Sequence, residues 1–190
     1  MHHFFAYMAR MRFIDRWALM RNSYTENIQE HSHQVAILAH ALAVLRNEYF
    51  GGQVDAGAVA VAALYHDASE ILTGDMPTPI KYYNPAIRQA YKAVEQVAEE
   101  KLLDMLPPEL RPAYEGALHP ADPEVEELVK AADKLSAHIK CIEELKAGNN
   151  EFRQAAAQTA AAMDAMRLPE LDYFREHFLP SYSLTLDELE

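Results

Sequence analysis

The chain has 190 residues, half of them hydrophobic, and a formal net charge of −12 with neutral histidines. This size fits one domain with a real core, and the acidic balance argues against nonspecific binding to nucleic acid polymers or anionic membranes. The one cysteine, Cys141, cannot form an intrachain disulfide. Because the sequence also shows neither a signal peptide nor a membrane-spanning segment, we expect a cytoplasmic protein.

The first predicted helices carry one candidate ligand. Residues 3 to 17 place their apolar side chains close to one helical stripe, which predicts an N-terminal helix. Asn27, with Glu30 three residues later, has the pattern of a helix start, and the helix that follows should reach about Asn47. His31 lies in the first turn and extends the apolar face of this helix.

The third predicted helix begins after Asp55, runs to Leu72 and carries a histidine–aspartate doublet. His66 follows apolar residues at helical spacing, so it should point into the protein. Adjacent side chains on a helix diverge by about 100°, so His66 and Asp67 can flank one point from two directions. Glu70 should lie on the same side of the helix as the doublet.

The rest of the chain is also predicted to be helical, and one more carboxylate lies on an inward face. Asp133 lies on or beside the apolar stripe of a long helix that begins after Asp122. The other predicted elements are a stiff loop at 75–81, a helix from Asn84-Pro85 to about Leu106, a short helix at 109–116, helices at 151–166 and 170–178, and a loosely structured tail after Pro180. No strand candidate is convincing, so the predicted fold class is all-α.

Four side chains on these helices form a candidate site for one divalent cation: His31, His66, Asp67 and Asp133. Two neutral imidazoles and two carboxylates balance a charge of +2. Mixed nitrogen and oxygen ligands suit Mn, Fe, Co, Ni or Zn better than Mg or Ca, and only four ligands leave positions open for water and substrate. Taken singly, each residue has an alternative explanation, such as a hydrogen-bonded core histidine or an aspartate paired with a neighbouring lysine.

Longer motifs surround these residues and carry a family resemblance. They are Asn22 with Thr25-Glu-Asn, Glu30-His-Ser, Tyr65-His-Asp-Ala-Ser-Glu-Ile-Leu-Thr-Gly-Asp, Pro77-Thr-Pro-Ile-Lys-Tyr and Gly148-Asn-Asn-Glu-Phe. Together with the four candidate ligands, they resemble the HD-domain metal-dependent phosphohydrolases. Over nearly the whole chain they are similar to the bacterial 5′-deoxynucleotidase branch of those enzymes.

The resemblance implies a fold, an activity and an assembly. The fold would be an HD-domain helical bundle in a single domain over residues 1–190, with the metal-binding core at about 28–140. The activity would be removal of the 5′-phosphate from deoxyribonucleoside 5′-monophosphates with the help of one divalent ion, Co, Mn or another first-row transition metal. The protein would be a homodimer.

The resemblance also implies a role for each matched residue. The metal ligands would be His31, His66, Asp67 and Asp133, and Glu70 would be the acid/base residue. The substrate contacts would be Arg16, Trp17, Asp75, Thr78, Pro79, Ile80 and Lys81, together with His31 and Asp133. The Arg16-Trp17 pair would disfavour ribonucleotides. We expect Glu70 to have a raised pKa, because it lies near the ligands and is partly desolvated.

Without the resemblance, simpler explanations remain for several of these residues. Arg16 could form a surface ion pair, Trp17 could be a core residue, and Lys81 could be an exposed loop cation. Asp75 could cap the turn after the third helix, and Glu70 could be a solvated carboxylate at a helix end.

Two other functions remain as alternatives. Another HD phosphohydrolase would act on nucleoside triphosphates or a cyclic phosphodiester, although the few cations near the site favour a monophosphate. A non-catalytic, metal-stabilised binding module would keep the ligands but would have no need of Glu70. The sequence leaves open the preferred base, the physiological metal, the dimer interface and whether Glu70 acts as base or acid.

Overall fold

The computed structural model describes residues 1–81 and 83–189, whose regular structure is helical. The α-helices are α1 (Phe4–Met8), α2 (Ile28–Phe50), α3 (Ala56–Tyr65), α4 (Glu70–Thr73), α5 (Thr78–Lys81), α6 (Pro85–Leu103), α7 (Arg111–Leu118), α8 (Pro123–Lys146), α9 (Arg153–Met166) and α10 (Pro169–His177). Short 3₁₀ helices lie at Ala9–Phe13, Asn150–Phe152, Leu179–Ser183 and Leu186–Glu188. These residues contain no β-strand, which confirms the predicted all-α class. Within the same residues, no helix is both long and apolar enough to cross a membrane.

The starts of the long helices are set by the side chains that the sequence predicted as caps. Asn27, Asp55, Asn84 and Asp122 each accept hydrogen bonds from backbone N–H groups in the first turn of the helix that follows. Such groups have no partner within the helix, so a side-chain acceptor at this position stabilises the helix start. Gly51 ends α2 at φ +72°, a conformation that favours glycine.

The main hydrophobic core lies between α2, α3, α8 and α10. Its fully buried side chains include Val35, Leu42, Val59, Leu128, Leu135, Ile139 and Leu171. A second, smaller cluster joins α1 to the end of α6 and consists of Phe4, Ala68, Leu102, Leu103 and Leu106. Ala68 immediately follows the His66-Asp67 doublet, so the doublet lies between a helix of the main core and a residue of the smaller one.

The predicted third helix is interrupted at the doublet, so the prediction of one helix to Leu72 is wrong. Helix α3 ends at Tyr65 and α4 starts at Glu70. In between, the backbone forms i→i+3 hydrogen bonds, from Ala68 N–H to Tyr65 O at 2.9 Å and from Glu70 N–H to Asp67 O at 3.0 Å. This tighter winding changes the angle between successive side chains and is often found at functional positions.

The N-terminal helix is also shorter than predicted. Helical structure ends at Phe13, and the chain then pairs with the segment before α2 through an isolated bridge between Asp15 and Asn27. The Arg16 N–H donates to Glu26 O at 2.8 Å. These long-range backbone bonds compete with helix formation, so the apolar periodicity of residues 14–17 does not produce a helix.

Two segments predicted to lack helical structure contain short helices. Within the predicted stiff loop at 75–81, residues 78–81 form α5. The tail expected to be loose after Pro180 contains two 3₁₀ helices, and Leu184 O accepts a hydrogen bond from Lys146 Nζ at 2.6 Å. All three helices are too short to give a clear periodic pattern in the sequence.

A buried ion pair on α8 anchors the loop that precedes α2. Lys140 and Glu144 are 1% and 0% exposed, and their Nζ and Oε1 atoms lie 2.6 Å apart. Lys140 also donates to Tyr24 O at 2.8 Å, and Glu144 accepts from Ser23 N–H at 2.9 Å and from Asn149 Nδ2 at 2.8 Å. The pair therefore fixes residues 23 and 24 against α8.

Replacement of Glu144 by alanine should strongly destabilise the fold. Removing one member of a buried ion pair leaves an uncompensated charge and costs about 3–5 kcal/mol in the free energy of unfolding. Glu126 is the matched control, because it forms an i,i+4 pair with Lys130 on the same helix but is exposed. Glu126→Ala should cost at most about 1 kcal/mol. Urea unfolding of the two variants and the wild type measures both effects, and equal losses would contradict the prediction.

The same pair predicts how stability depends on pH. Burial opposes ionisation of Glu144, but hydrogen bonds from Lys140, Asn149 and Ser23 outweigh it and lower the pKa of this carboxyl to about 2. A carboxyl with a depressed folded-state pKa stabilises the fold above its unfolded pKa and loses that contribution as the pH falls. The stability difference between wild type and Glu144→Ala should therefore shrink from about pH 4.5 towards pH 2.

Candidate metal centre

Side chains from three helical segments converge on one point near the start of α2. Ring nitrogens of His31 and His66 and a carboxylate oxygen of Asp133 all lie within 4.8 Å of one another. Asp67 Oδ2 lies 3.2 Å from His66 Nε2 and 3.6 Å from His31 Nε2. The structure thus brings together the four candidate ligands that the sequence predicted, even though α2, the doublet and α8 are far apart along the chain.

The tautomer of His31 is fixed by partners on the side away from the cluster. Ser136 Oγ donates to Gln34 Oε1 at 2.7 Å and lies 3.2 Å from His31 Nδ1. Because the hydroxyl proton is used for Gln34, Ser136 accepts from His31 Nδ1–H, which leaves Nε2 with a lone pair. That lone pair faces the carboxylate of Asp133 at 3.1 Å. Two acceptors facing each other favour a cation between them.

His66 is oriented in the same way by its own helix. Its Nδ1 lies 2.8 Å from Ala63 O, a carbonyl that can only accept, so Nδ1 carries the proton. The Nε2 atom is buried and forms no hydrogen bond within the described residues, because Asp67 Oδ2, 3.2 Å away, is an acceptor like the unprotonated nitrogen. A buried nitrogen without a partner is costly unless something else binds it. Hydrogen bonds of this kind to the outer ring nitrogen are typical of metal-binding histidines.

The electrostatics of the cluster also favour a cation. Burial opposes ionisation of Asp67, but His66, His31 and Arg16 outweigh it and lower the pKa of this carboxyl. Burial likewise opposes ionisation of Asp133, but Lys134 and the two histidines lower its pKa. Both groups are therefore carboxylates at neutral pH. Lys134 Nζ binds the outer oxygen of Asp133 at 2.7 Å, so this aspartate contacts both a lysine and the cluster.

Glu70 lies in the first turn of α4 and is only 5% exposed. Its Oε2 is buried without a hydrogen-bond partner in the part of the chain that the structure describes. Burial, with further contributions from Asp67 and Asp75, raises the pKa of Glu70 to about 9. The expected increase in this pKa is confirmed, and Glu70 is not the solvated helix-end carboxylate of the simpler explanation. A buried acid of this kind can hold a proton at neutral pH.

Arg16 and Trp17 lie beside the cluster on the loop that leads into α2. Arg16 Nη1 is 3.3 Å from Asp67 Oδ2, and its Nε donates to Glu26 Oε2 at 3.1 Å. Trp17 Nε1 donates to the same Glu26 oxygen at 3.0 Å, and its ring packs at 5.3 Å from that of Phe152. Arg16 is thus paired with buried carboxylates rather than with a surface group.

The other predicted substrate contacts lie on the segment after α4. The pKa of Asp75 is raised by burial, although the charge of Arg16 acts in the opposite direction. Thr78, Pro79 and Ile80 are exposed on α5. Lys81 Nζ binds Glu95 Oε1 at 2.8 Å and lies 4.8 Å from the centre of the Tyr91 ring, so it is not an unpaired loop cation.

A cavity of about 260 Å³ opens on the candidate ligands His66 and Asp133. Its other walls include apolar residues of α3, α7 and α8, and Glu95, the partner of Lys81. This position gives small molecules access to the cluster. A larger cavity of about 440 Å³ lies along the first turns of α6, is lined by Tyr83, Asn84, Pro85, Arg88, Gln89 and Lys92, and does not include the cluster.

Three residues that support the site were not predicted from the sequence. Gln34 follows His31 by three residues on α2, and Ser136 follows Asp133 by three on α8. A polar residue one turn beyond each predicted ligand was a signal that could have identified them. Glu26 gave no such signal, because its partners are reached only through the fold of the loop before α2.

Solved structures with the same fold include two HD phosphohydrolases. An HD-domain phosphohydrolase from Listeria innocua superposes with a TM-score of 0.82 at 23% identity, covering 95% of this chain and 88% of the other. The cyanophage S-2L HD phosphohydrolase DatZ, solved with dA and one catalytic Zn²⁺ ion, has a TM-score of 0.66 at 23% identity and coverages of 93% and 96%. These likenesses confirm the HD-domain fold.

Sequence comparison identifies much nearer relatives. The 5′-deoxynucleotidases YfbR of Shigella boydii and Escherichia coli are each 53% identical over 189 residues, which is 98% of this chain and 95% of theirs. The family model described as 5′-deoxynucleotidase YfbR-like matches residues 3–182. The predicted resemblance is therefore confirmed, and the chain belongs to the YfbR-like 5′-deoxynucleotidase family of HD-domain phosphohydrolases.

Proposed function

We infer that this protein is a 5′-deoxynucleotidase, a hydrolase that removes the 5′-phosphate from deoxyribonucleoside 5′-monophosphates to give a deoxynucleoside and phosphate. The observation that carries this inference is the convergence of two imidazole lone pairs and two carboxylates beside a buried acid, in a chain of this family. A non-catalytic binding module would not need a buried Glu70 with a raised pKa next to its metal ligands.

We propose that His31, His66, Asp67 and Asp133 hold one divalent cation of the first transition row, such as Co or Mn. Support comes from the nitrogen and oxygen donor set and from the unpartnered His66 Nε2. The DatZ structure contains one catalytic Zn²⁺, which agrees with a single-ion site in this fold. A divalent cation in such a site lowers the pKa of a bound water to about 7 and polarises a phosphoryl oxygen.

Glu70 is proposed to be the group that moves the proton in this reaction. Its raised pKa keeps a proton on the carboxyl at neutral pH in the absence of the cation. The proton can be exchanged with the attacking water or with the leaving 5′-oxygen. Since Glu70 Oε2 forms no hydrogen bond with any described group, this oxygen is available to the attacking water or to the leaving 5′-oxygen.

The cationic and sugar contacts are proposed on the loop before α2 and on the segment after α4. Arg16 and Lys81 would offset the charge of the non-bridging phosphate oxygens, and Trp17 would bound the deoxyribose. Asp75 would accept from the 3′-hydroxyl of the sugar. Further contacts, proposed from the family resemblance, come from Thr78, Pro79, Ile80, His31 and Asp133.

A screen of phosphate release from all 5′-mononucleotides, each with several divalent metals, tests the function. We expect deoxyribonucleoside monophosphates to be hydrolysed faster than ribonucleoside monophosphates, and dATP and a cyclic dinucleotide to be poor substrates. Faster hydrolysis of dATP or of the cyclic dinucleotide would favour the other phosphohydrolase activities. An absence of activity with every metal would favour a binding module.

Replacement of Arg16 by alanine should reduce the discrimination between deoxyribo- and ribonucleotides. Arg16 would crowd a 2′-hydroxyl, so its removal opens space on that side of the sugar. We expect the ratio of kcat/KM for dAMP to that for AMP to fall about tenfold. Arg12, an exposed arginine of the preceding 3₁₀ helix, provides the control variant Arg12→Ala. An unchanged ratio in Arg16→Ala would assign the selectivity to another residue.

The assembly and location are also proposals. We propose one domain over residues 1–190 and a homodimer, both on the basis of the family resemblance, and light scattering in solution tests the dimer. A cytoplasmic location is consistent with Cys141, which is buried and unpaired.

A further inference from the structure

Glu26 is a buried carboxylate that touches two residues of the proposed sugar-binding surface. It is 7% exposed and lies at the end of the loop before α2. Its Oε2 accepts hydrogen bonds from Arg16 Nε at 3.1 Å and from Trp17 Nε1 at 3.0 Å. Because one oxygen binds both side chains, a change at this residue releases both of them together.

The conformation of Trp17 needs support of this kind. Its φ of +59° lies in the left-handed region, which is unfavourable for a large aromatic residue. Strained backbone conformations of this kind persist only where the surroundings hold them in place. The indole of Trp17 is held on one side by Glu26 and packs on Phe152. The backbone carbonyl of Trp17 accepts from Met20 N–H at 2.8 Å.

The orientation of Arg16 depends on the same carboxylate. The guanidinium is planar, so a hydrogen bond at Nε restricts where its terminal nitrogens point. With Nε bound to Glu26, Nη1 lies 3.3 Å from Asp67 Oδ2, at the edge of the candidate metal cluster. The backbones of the two residues are also paired, since Arg16 N–H donates to Glu26 O at 2.8 Å. Glu26 itself is not among the clustered metal-binding groups.

We propose that Glu26 is a positioning residue that holds Arg16 and Trp17 against the sugar and thereby sets the preference for deoxyribose. Glu26 acts through its two partners and does not contact the substrate. The proposal rests on the proposed nucleotidase function, because it concerns which sugar that site accepts. It predicts that selectivity is lost when the carboxylate is removed, even though Arg16 and Trp17 are both still present.

The test uses the full-length, metal-loaded protein and two measurements. The variants are Glu26→Ala, which removes the acceptor, and Glu26→Gln, which keeps an acceptor oxygen but removes the charge. The control is Glu170→Gln, which makes the same change at a buried carboxylate bound to Arg46 near the other end of α2. The measurements are the ratio of kcat/KM for dAMP to that for AMP and the fluorescence of Trp17, the single tryptophan of the chain.

In Glu26→Ala we expect the ratio of kcat/KM for dAMP to that for AMP to fall about tenfold, which is the effect typical of losing one hydrogen bond to a charged group. We also expect the emission of Trp17 to shift to longer wavelength. Glu26→Gln should lie between Glu26→Ala and the wild type. Glu170→Gln should leave both the ratio and the emission unchanged below its unfolding temperature. If Glu26→Ala does not fold, the intermediate values expected for Glu26→Gln decide the outcome.

An emission shift with a ratio within twofold of wild type would overturn the proposal, because the two side chains would then move without consequence for selectivity. A fall in the ratio without an emission shift would overturn it as well, since Trp17 would not have moved. Failure of the proposed function is a different result, because the wild-type protein would then hydrolyse no deoxyribonucleotide with any metal.

Discussion

Replacement of Asp133 by alanine should abolish the phosphatase activity and weaken metal binding. Asp133 supplies the carboxylate that faces the lone pair of His31 at 3.1 Å, and it is the only proposed ligand on α8. Loss of residues that merely orient metal ligands typically costs about 10–100-fold in affinity or activity, so loss of a ligand should exceed about 100-fold. The wild-type protein should also unfold at a higher temperature when Co²⁺ or Mn²⁺ is added, because the ion binds only the folded state.

The measurements are phosphate release from dAMP and the shift in melting temperature with increasing metal concentration. Asp164→Ala is the matched control, since Asp164 is an exposed aspartate that pairs with Arg175 and lies outside the cluster. The control should keep full activity and the full metal-dependent shift. If Asp133→Ala bound the metal as tightly as the wild type, the proposed ligand set would be wrong.

Replacement of Glu70 by glutamine should remove turnover while leaving the metal in place. Glutamine has nearly the same shape as glutamate but cannot take up or release a proton near neutral pH. General acid–base catalysis typically contributes about 10²–10⁴-fold, so kcat for dAMP should fall by this amount. Metal affinity should change little, because Glu70 is not among the clustered groups that could bind the ion.

Glu48→Gln provides the control for this experiment, because Glu48 is exposed near the end of α2. Titration with Co²⁺ and steady-state kinetics on the same preparations separate binding from turnover. Normal turnover in Glu70→Gln would remove Glu70 from the mechanism. A parallel loss of metal binding and turnover would instead make Glu70 a ligand.

The sequence predicted those parts of the structure that depend on neighbouring residues. The caps at Asn27, Asp55, Asn84 and Asp122 act within one helical turn, so the starts of the long helices were correctly predicted. The candidate ligands were likewise found because His31 and Asp133 extend apolar stripes. Their convergence in space agrees with the prediction.

Features that depend on distant parts of the chain were not predicted. The third helix breaks at His66, next to Ala68, which packs into the smaller core with Phe4. The left-handed conformation of Trp17 depends on contacts with Glu26 and Phe152. Neither has a local pattern, because side-chain periodicity carries no information about partners far away in sequence.

The position of the doublet between two cores links catalysis to the weaker part of the fold. Helix α1 contributes Phe4 to the smaller cluster, and this cluster contains far fewer buried side chains than the main one. Local opening costs less free energy where fewer apolar contacts are lost. Detachment of the amino-terminal segment would therefore release Ala68 and disturb the neighbouring ligands while most helices remain intact, so heat inactivation should precede global melting.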